Sequence, residues 1–396
     1  MNKKLKIGFF GFGCVGQGLY DILTKTAFDA EIIKICVKNK NKERSIASHH
    51  FTFDKDDILQ NKDINLVVEM IDDANEAYQI VKYALQNGKN VVTANKKMLA
   101  EHLEELVAIQ KKYGTSLLYE ASACGSIPII RNLEEYYDNE LLKSVAGIFN
   151  GSSNYILSKI FQEKSTYQKA LKEAQDLGFA ESNPILDVGG FDAKFKLCII
   201  TTHAYGLFVN PDEVFNYGIQ YLNEHDIRLS AEKNTKIKMI AFVGKKSDNE
   251  VISFVMPHFI FKKHELYHVE NEYNGVIAEA AFADKQVFVG KGAGGHPTGA
   301  AVLSDISAMR YDYQYEYKKI SKNKNLIYTR DATLELYVRY QNLEDLEGLH
   351  LENISVKHES NDFKYIIGEV NLENLYRLRE ELPQKNIFLV CLGLKK

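Results

Sequence analysis

Apolar and polar positions alternate along the first 120 residues in a strand–helix rhythm. Lys4–Phe10 is a short apolar run that ends in glycines, as a buried strand does. Val15–Ala27 carries helical spacing, and Glu31–Val37 is a second apolar run. Leu66–Met70, Asn90–Thr93 and Ser116–Tyr119 predict three more strands. Asn75–Gln86 and Lys97–Lys112 predict the helices between them. Strands alternating with helices of this length predict a parallel sheet covered on both faces.

After about residue 125 the rhythm changes. Ser144–Phe149 reads as a strand, and Ser153–Glu163, Tyr167–Leu177 and Ala193–Gly206 read as helices. Strands follow at Thr235–Val243, Val251–Met256, Gly275–Phe282 and Gln286–Gly290, predicting an open mixed sheet with helices on one face. A glycine-rich turn then leads to a helix over Pro297–Met309. The tail predicts a strand at Leu334–Tyr340, a hairpin across Ile354–Val370, a helix at Leu372–Leu382 and a strand at Ile387–Leu392. That is a βαββαβ unit whose first helix is short or missing. The expected fold class is α/β: a Rossmann-type doubly wound parallel sheet, an α+β domain with an open mixed sheet, and a small C-terminal α+β unit. The expected boundaries are 1–125 (completed by about 296–320), 126–295 and 326–396.

Composition narrows the function. The chain has 396 residues, 45% hydrophobic and 26% charged, with a formal net charge of −4. That charge gives no basic field for nucleic acid or an acidic membrane surface. Five cysteines stand scattered at 14, 36, 124, 198 and 391, with no CxxC pair, which fits a reducing compartment. No apolar run reaches the roughly 18–20 residues that a membrane span needs. The expectation is a soluble cytoplasmic protein.

Gly11-Phe12-Gly13-Cys14-Val15-Gly16 is a GxGxxG turn between the first strand and the first helix. Gly11 permits the turn, Gly13 admits a pyrophosphate close to the backbone, and Gly16 lets helix and strand pack. The alternative is a plain tight βα turn. At the end of the second strand stands Val37-Lys38-Asn39-Lys40 with Arg44 beyond, and no acid to hold a ribose hydroxyl. Cations there suit a 2′-phosphate, so the pattern leans to NADP with NAD tolerated; a solvated lysine loop is the bland reading.

Hydride transfer also needs a proton donor near the carbonyl. Lys96 follows Asn90-Val91-Val92-Thr93-Ala94-Asn95, just past the end of a strand, where open α/β sheets bind ligands. Asp192 and Lys196 are four apart at a helix start and share a face. By pattern alone such a pair is more often a surface salt bridge.

The chain resembles homoserine dehydrogenases from about residue 5 to about residue 310. The matching stretches are GFGCVG at 11–16, NGKNVVTANK at 87–96, YEASACGSIPII at 119–130, GIFNGSSNYIL at 147–157, AQDLGFAESNP at 174–184, DVGGFDAKFKL at 187–197 and GKGAGGHPTGAAVLSD at 290–305. The resemblance implies the interconversion of L-aspartate 4-semialdehyde and L-homoserine, in threonine, methionine and isoleucine biosynthesis. It implies Lys196 as proton donor and acceptor, with Lys96 polarising the carbonyl. It implies Asp192 on the substrate ammonium, with Glu181, Asp187 and Gly178 lining the site. The cofactor would meet residues 11–16, Lys38, Thr93 and Lys96, with Gly292 and Gly294 closing over it. A sodium ion would take the Glu120 side chain and the carbonyls of Ala123, Gly125 and Ile127. A homodimer or homotetramer is implied as well.

The sequence departs from the family in places. Glu69 is followed by Met70-Ile71-Asp72-Asp73 where a Gly-Gly pair is usual, Cys14 replaces Thr or Ala, and Ala123-Cys124 replaces Val-Ala or Val-Gly. The tail resembles a reduced ACT domain, a module that binds amino acids; packing or dimerisation explains it equally well. His264-Glu265-Leu266-Tyr267-His268 spells the zincin HExxH but is flanked by a predicted strand and loop. Ser152 or Ser153 is expected to cap a helix. His296, beside the glycine turn, reads as an exposed or satisfied histidine, with a cofactor contact as the alternative. Two further readings stay open: another Rossmann-type dehydrogenase for a related amino or hydroxy acid, and a catalytically silent dinucleotide sensor.

Overall fold

The computed structural model describes residues 4–26, 28–139 and 141–395. The chain forms two compact units, Met1–Asp138 with Lys291–Lys318, and Asn139–Gly290 with Lys319–Lys396.

The first unit is built on strands β1 (Leu5–Phe10), β2 (Ala30–Cys36), β3 (Phe51–Thr52), β4 (Leu66–Glu69), β5 (Asn90–Thr93) and β6 (Leu117–Leu118). They lie in the order β3-β2-β1-β4-β5-β6 with every pair parallel, the Rossmann order. β4 is buried at all four positions, as a strand covered on both faces must be. Helices α1 (Cys14–Lys25), α2 (Ala74–Gln86) and α3 (Lys96–Tyr113) supply that cover. α3 starts where the Asn95 side chain accepts from the Met98 N–H and stops at Gly114, in the left-handed region at φ +65°.

The helix Gly295–Met309 returns to this unit and packs backbone against backbone on α1. A Cβ on Gly18 would lie 2.2 Å from the Gly295 carbonyl oxygen, and one on Gly299 would lie 2.7 Å from the Leu19 nitrogen. Glycine at these positions is a condition of the packing.

The second unit holds β7 (Leu142–Ile148), β8 (Phe215–Asn216), β9 (Thr235–Ser247), β10 (Glu250–Phe261), β11 (Tyr273–Ala280), β12 (Asp284–Lys291), β13 (Ile327–Tyr328), β14 (Thr333–Tyr340), β15 (Glu352–Glu359), β16 (Lys364–Asn371) and β17 (Phe388–Leu394). The main path runs β12-β11-β7-β9-β10-β17-β14-β16-β15, and β8 and β13 also pair with β10. Helices α4 (Gly151–Glu163) and α5 (Phe191–Tyr205) pack on it.

The tail strands are antiparallel in the order β17-β14-β16-β15 and join the larger sheet through a parallel pairing of β17 with β10. The first helix of the tail is a single turn, Leu343–Leu346.

Two sequence expectations need correcting. α4 begins at Gly151, so its cap is Asn150, whose side chain accepts from the Ser153 N–H; neither serine caps it. Ser152 instead donates to the Phe179 carbonyl, and Ser153 to the Asn150 carbonyl. A helix over Glu224–Glu232 went unread, although Asn223 and Asp226 form a capping box at its start. Asp226 is fully buried there and accepts from the Arg339 Nε at 3.0 Å and the Tyr337 hydroxyl at 2.8 Å. These bonds fasten β14 to that helix, and they compensate a carboxylate whose pKa burial raises.

The HExxH segment is one 3₁₀ turn, Glu265–His268, capped by the ring nitrogen of His264. At about three residues per turn, histidines four apart point in different directions.

Candidate functional site

At the dinucleotide turn, Gly11 adopts φ +96°, and a Cβ there would lie 2.7 Å from the Met70 carbonyl oxygen. A Cβ on Gly16 would lie 2.7 Å from the Gly11 carbonyl oxygen. Both glycines are therefore demanded by packing. Gly13 differs, because a Cβ there would meet no protein atom within 4 Å. Gly13 and Cys14 are exposed at the start of α1, and first-turn N–H groups have no intrahelical acceptor. Unclaimed donors, a positive helix end and a glycine that the protein itself does not need fit a pyrophosphate. Phe12 is buried edge-on against Phe51 and Tyr20, and Val15 is half-buried.

Around the ends of β4 and β5, Glu69 is fully buried and accepts from the Thr93 hydroxyl and the Ile71 N–H. Burial pushes its pKa up to about 7, against the lowering effect of those two donors. Asn95 bridges the neighbouring segments, donating to the Ile71 carbonyl while capping α3. Lys96 is half-buried at the first position of α3. Thr93, expected at the cofactor, thus spends its hydroxyl on Glu69. Lys38, at the end of β2, is exposed and pairs with Glu76 at 2.5 Å.

Glu120 is buried, and its two oxygens accept from the backbone N–H groups of Ile130 (2.8 Å) and Arg131 (3.0 Å). Asp305 accepts from the Glu120 N–H at 2.8 Å and pairs with Arg131 at 2.6 Å. Burial, then the neighbouring Asp305, pushes the Glu120 pKa up to about 8. Ala123, Gly125 and Ile127 lie buried just beyond, with Gly125 at φ +60° against residues 291 and 292. A carboxylate and carbonyls are the oxygen donors a hard cation takes, but here both Glu120 oxygens are held by backbone N–H groups and the Ile127 carbonyl accepts from the Ile129 N–H at 2.9 Å. Gly292 is buried, and Gly294 turns into the helix Gly295–Met309 at φ +116°. His296 is exposed and bonds Asp21 at 2.7 Å.

In the second unit, the Lys196 ammonium lies 2.8 Å from Asp192 Oδ2 and donates to the Phe149 carbonyl at 2.7 Å. The sequence pattern made a surface pair the commoner outcome, yet both side chains are over nine-tenths buried. The reason is that α5 is buried on every side; only Phe191 and Phe195 escape full burial. Asn150 was not anticipated. Its amide nitrogen donates to Asp187 at 2.7 Å and to Asp192 at 3.0 Å. Capping α4 fixes which end of the amide faces the carboxylates. The GIFNGSSNYIL stretch signalled a turn there without indicating that partner. Asp187, Asp192, Lys196 and Asn150 therefore form one connected cluster. Glu181 and Gly178 lie exposed on the preceding loop, outside that network.

A family model described as the homoserine dehydrogenase NAD binding domain matches residues 11–120, and the homoserine dehydrogenase model matches residues 128–307. The Bacillus subtilis homoserine dehydrogenase is 32% identical over 357 residues, covering 85% of this chain and 82% of its own. The chain belongs to the homoserine dehydrogenase family. The Helicobacter pylori homoserine dehydrogenase is 36% identical over 317 residues, covering 77% of this chain and 74% of its own. The crystal structure of a homoserine dehydrogenase from Thiobacillus denitrificans superposes with TM-score 0.84 at 26% identity, covering 99% of this chain and 98% of that one.

Membership makes this chain an oxidoreductase of amino-acid biosynthesis with a Rossmann-type NAD-binding domain. After Glu69, the Met70 carbonyl oxygen lies 2.7 Å from where a Cβ on Gly11 would fall, and Ile71 donates its N–H to the Glu69 carboxylate. No helix among the described residues is long and apolar enough to cross a membrane.

Proposed function

We propose that the enzyme interconverts L-aspartate 4-semialdehyde and L-homoserine, with Lys196 donating the proton to the substrate oxygen and taking it back in reverse. The buried Asp192–Lys196 pair is the observation that carries this reading. Asp192 holds the substrate ammonium, assisted by Glu181 from its loop, while Asp187 and Gly178 line the site. A substrate ammonium shares the Asp192 charge with Lys196 and so eases transfer of the lysine proton. Lys96 polarises the carbonyl.

Gly11, Phe12, Gly13, Cys14, Val15 and Gly16 hold the dinucleotide phosphates, Thr93 and Lys96 flank the nicotinamide, and Gly292 and Gly294 close over it. When bound, the nicotinamide supplies or accepts the hydride. We favour NADP, because no acid stands at the end of β2 and an archaeal homoserine dehydrogenase at TM-score 0.68 and 26% identity was solved with NADPH. Lys38 would then exchange Glu76 for the 2′-phosphate. Glu120 with the carbonyls of Ala123, Gly125 and Ile127 takes a monovalent cation, sodium by the family resemblance. The enzyme works in the cytoplasm as a homodimer or homotetramer.

The test is absorbance at the nicotinamide band with homoserine, offered NAD and NADP in turn. Turnover of homoserine, faster with NADP, is expected. Turnover of simple 2-hydroxy acids in preference to homoserine would defeat the substrate assignment.

A further inference from the structure

The turn between β7 and α4 carries both anchors of the charged cluster. The Phe149 carbonyl accepts from the Lys196 ammonium at 2.7 Å, and the next residue, Asn150, donates to Asp187 and Asp192. A second donor reaches the same carbonyl: the amide nitrogen of Asn274, on β11, lies 3.2 Å from it. Only the nitrogen end of an amide can face a carbonyl oxygen, which fixes the orientation of this side chain.

Folding does not explain Asn274. It is fully buried, and its Oδ1 has no hydrogen-bond partner among the described residues. One hydrogen bond at 3.2 Å offsets that unmet acceptor poorly. The Phe149 oxygen would keep Lys196 as a donor without it. Yet the frame around Asn274 is tight. The Asn154 amide donates to the carbonyls of Val269, Asn271 and Tyr273. A Cβ on Gly151 would lie 2.6 Å from the Glu272 carbonyl oxygen, and one on Gly147 would lie 2.3 Å from the Gly275 carbonyl oxygen. The chain is thus pressed onto the turn on both sides of Asn274, which leaves its amide little freedom to move away.

We propose that Asn274 is a positioning residue for proton transfer, holding the Phe149 carbonyl so that Lys196 meets the substrate oxygen at a fixed angle. The inference rests on Lys196 as the proton donor. A carbonyl oxygen has two lone pairs. Asn274 occupies one and leaves the other to Lys196. Of the three ammonium N–H groups, one then goes to Phe149 and one to Asp192, and the third is left for the substrate. Without Asn274 the ammonium can slide between the two lone pairs, and the third N–H loses its aim.

Asn274→Leu tests this, because leucine is close to asparagine in size and removes the donor together with the unmet acceptor. In the full-length enzyme with saturating dinucleotide, single-turnover hydride transfer from homoserine should slow about 2- to 10-fold, the worth of one neutral hydrogen bond, with the KM for homoserine unchanged. The melting temperature should not fall. Asn274→Val, smaller and suited to a strand, covers the case in which leucine is not accommodated, and should show the same loss of rate. Lys196→Ala is measured beside them. A near-normal rate there would remove the role of the lysine and this inference with it. A slow Lys196→Ala beside Asn274 variants with wild-type rates would overturn the inference alone. So would a raised KM at an unchanged rate, which would make Asn274 a matter of substrate binding.

Discussion

The candidate sites of the two units are built from different parts of the chain. In the first, the groups offered at the glycine turn are backbone N–H donors, and the packing is constrained by what must be absent, a Cβ at Gly11 and Gly16. In the second, the groups are side chains, Asp187, Asp192 and Lys196, oriented by Asn150. Shape rules one site and charge the other. Substitutions in the first should therefore act through sterics, and those in the second through charge.

The largest effect is expected in the charged cluster. Lys196→Ala should lower kcat by about 10²- to 10⁴-fold, the usual contribution of a general acid, while dinucleotide affinity stays unchanged. A near-normal kcat in steady-state assays would reject the assignment. A smaller effect separates charge from shape inside the first unit. Burial pushes the Glu69 pKa up to about 7, above the ordinary glutamate value of about 4.5. The folded state therefore holds its proton more tightly, and this stabilising contribution is full below about 4.5 and lost as pH rises through about 7. At about 1.4 kcal/mol per pKa unit, Glu69→Gln should relieve on the order of 3 kcal/mol at pH 8 relative to pH 4. Denaturant titrations across that range measure it, and parallel curves for wild type and variant would refute it.

Next come the glycines. Gly16→Ala should cost about 1–3 kcal/mol of stability through overpacking. Gly13→Ala should leave stability unchanged and weaken dinucleotide binding alone, since the added Cβ meets no protein atom. Equal thermal shifts for the two would erase the distinction. The smallest effect concerns Asn150. Asn150→Ala should lose about 1 kcal/mol as a cap. Asn150→Asp keeps the cap but replaces the donor to Asp187 and Asp192 with a third acid, so it should retain stability and raise the KM for homoserine. An Asp variant with wild-type KM would make Asn150 a cap only.

Legibility in the sequence follows the same division. The parallel sheet was readable because strands buried on both faces are largely apolar, as Leu66–Val68 of β4 are before the buried Glu69 ends the strand. The glycine turn was readable because Gly11 and Gly16 have a steric reason within the protein and Gly13 leaves the open space that a pyrophosphate would take. The two-residue strands β3, β8 and β13 are too short to show a period, whereas β6, equally short, was legible from the apolar run around Leu117 and Leu118. The burial of Asp192 and Lys196 was invisible because an i, i+4 ion pair looks alike on a surface helix and on one enclosed like α5. Asn150 was invisible because its partners are 37 and 42 residues away. The tail strands predicted a small unit; that β17 would pair with β10 could not be read from a single register point, His258 opposite Cys391.

Lys196 and Lys96 are proposed to serve one reaction, the first as proton donor and the second polarising the carbonyl. Single-turnover rates of hydride transfer in Lys96→Ala, Lys196→Ala and the double variant test it most directly. Groups that act together lose their effect together, so the double variant should be scarcely slower than the slower single one. Losses that multiply across the two substitutions would mean that the lysines act independently.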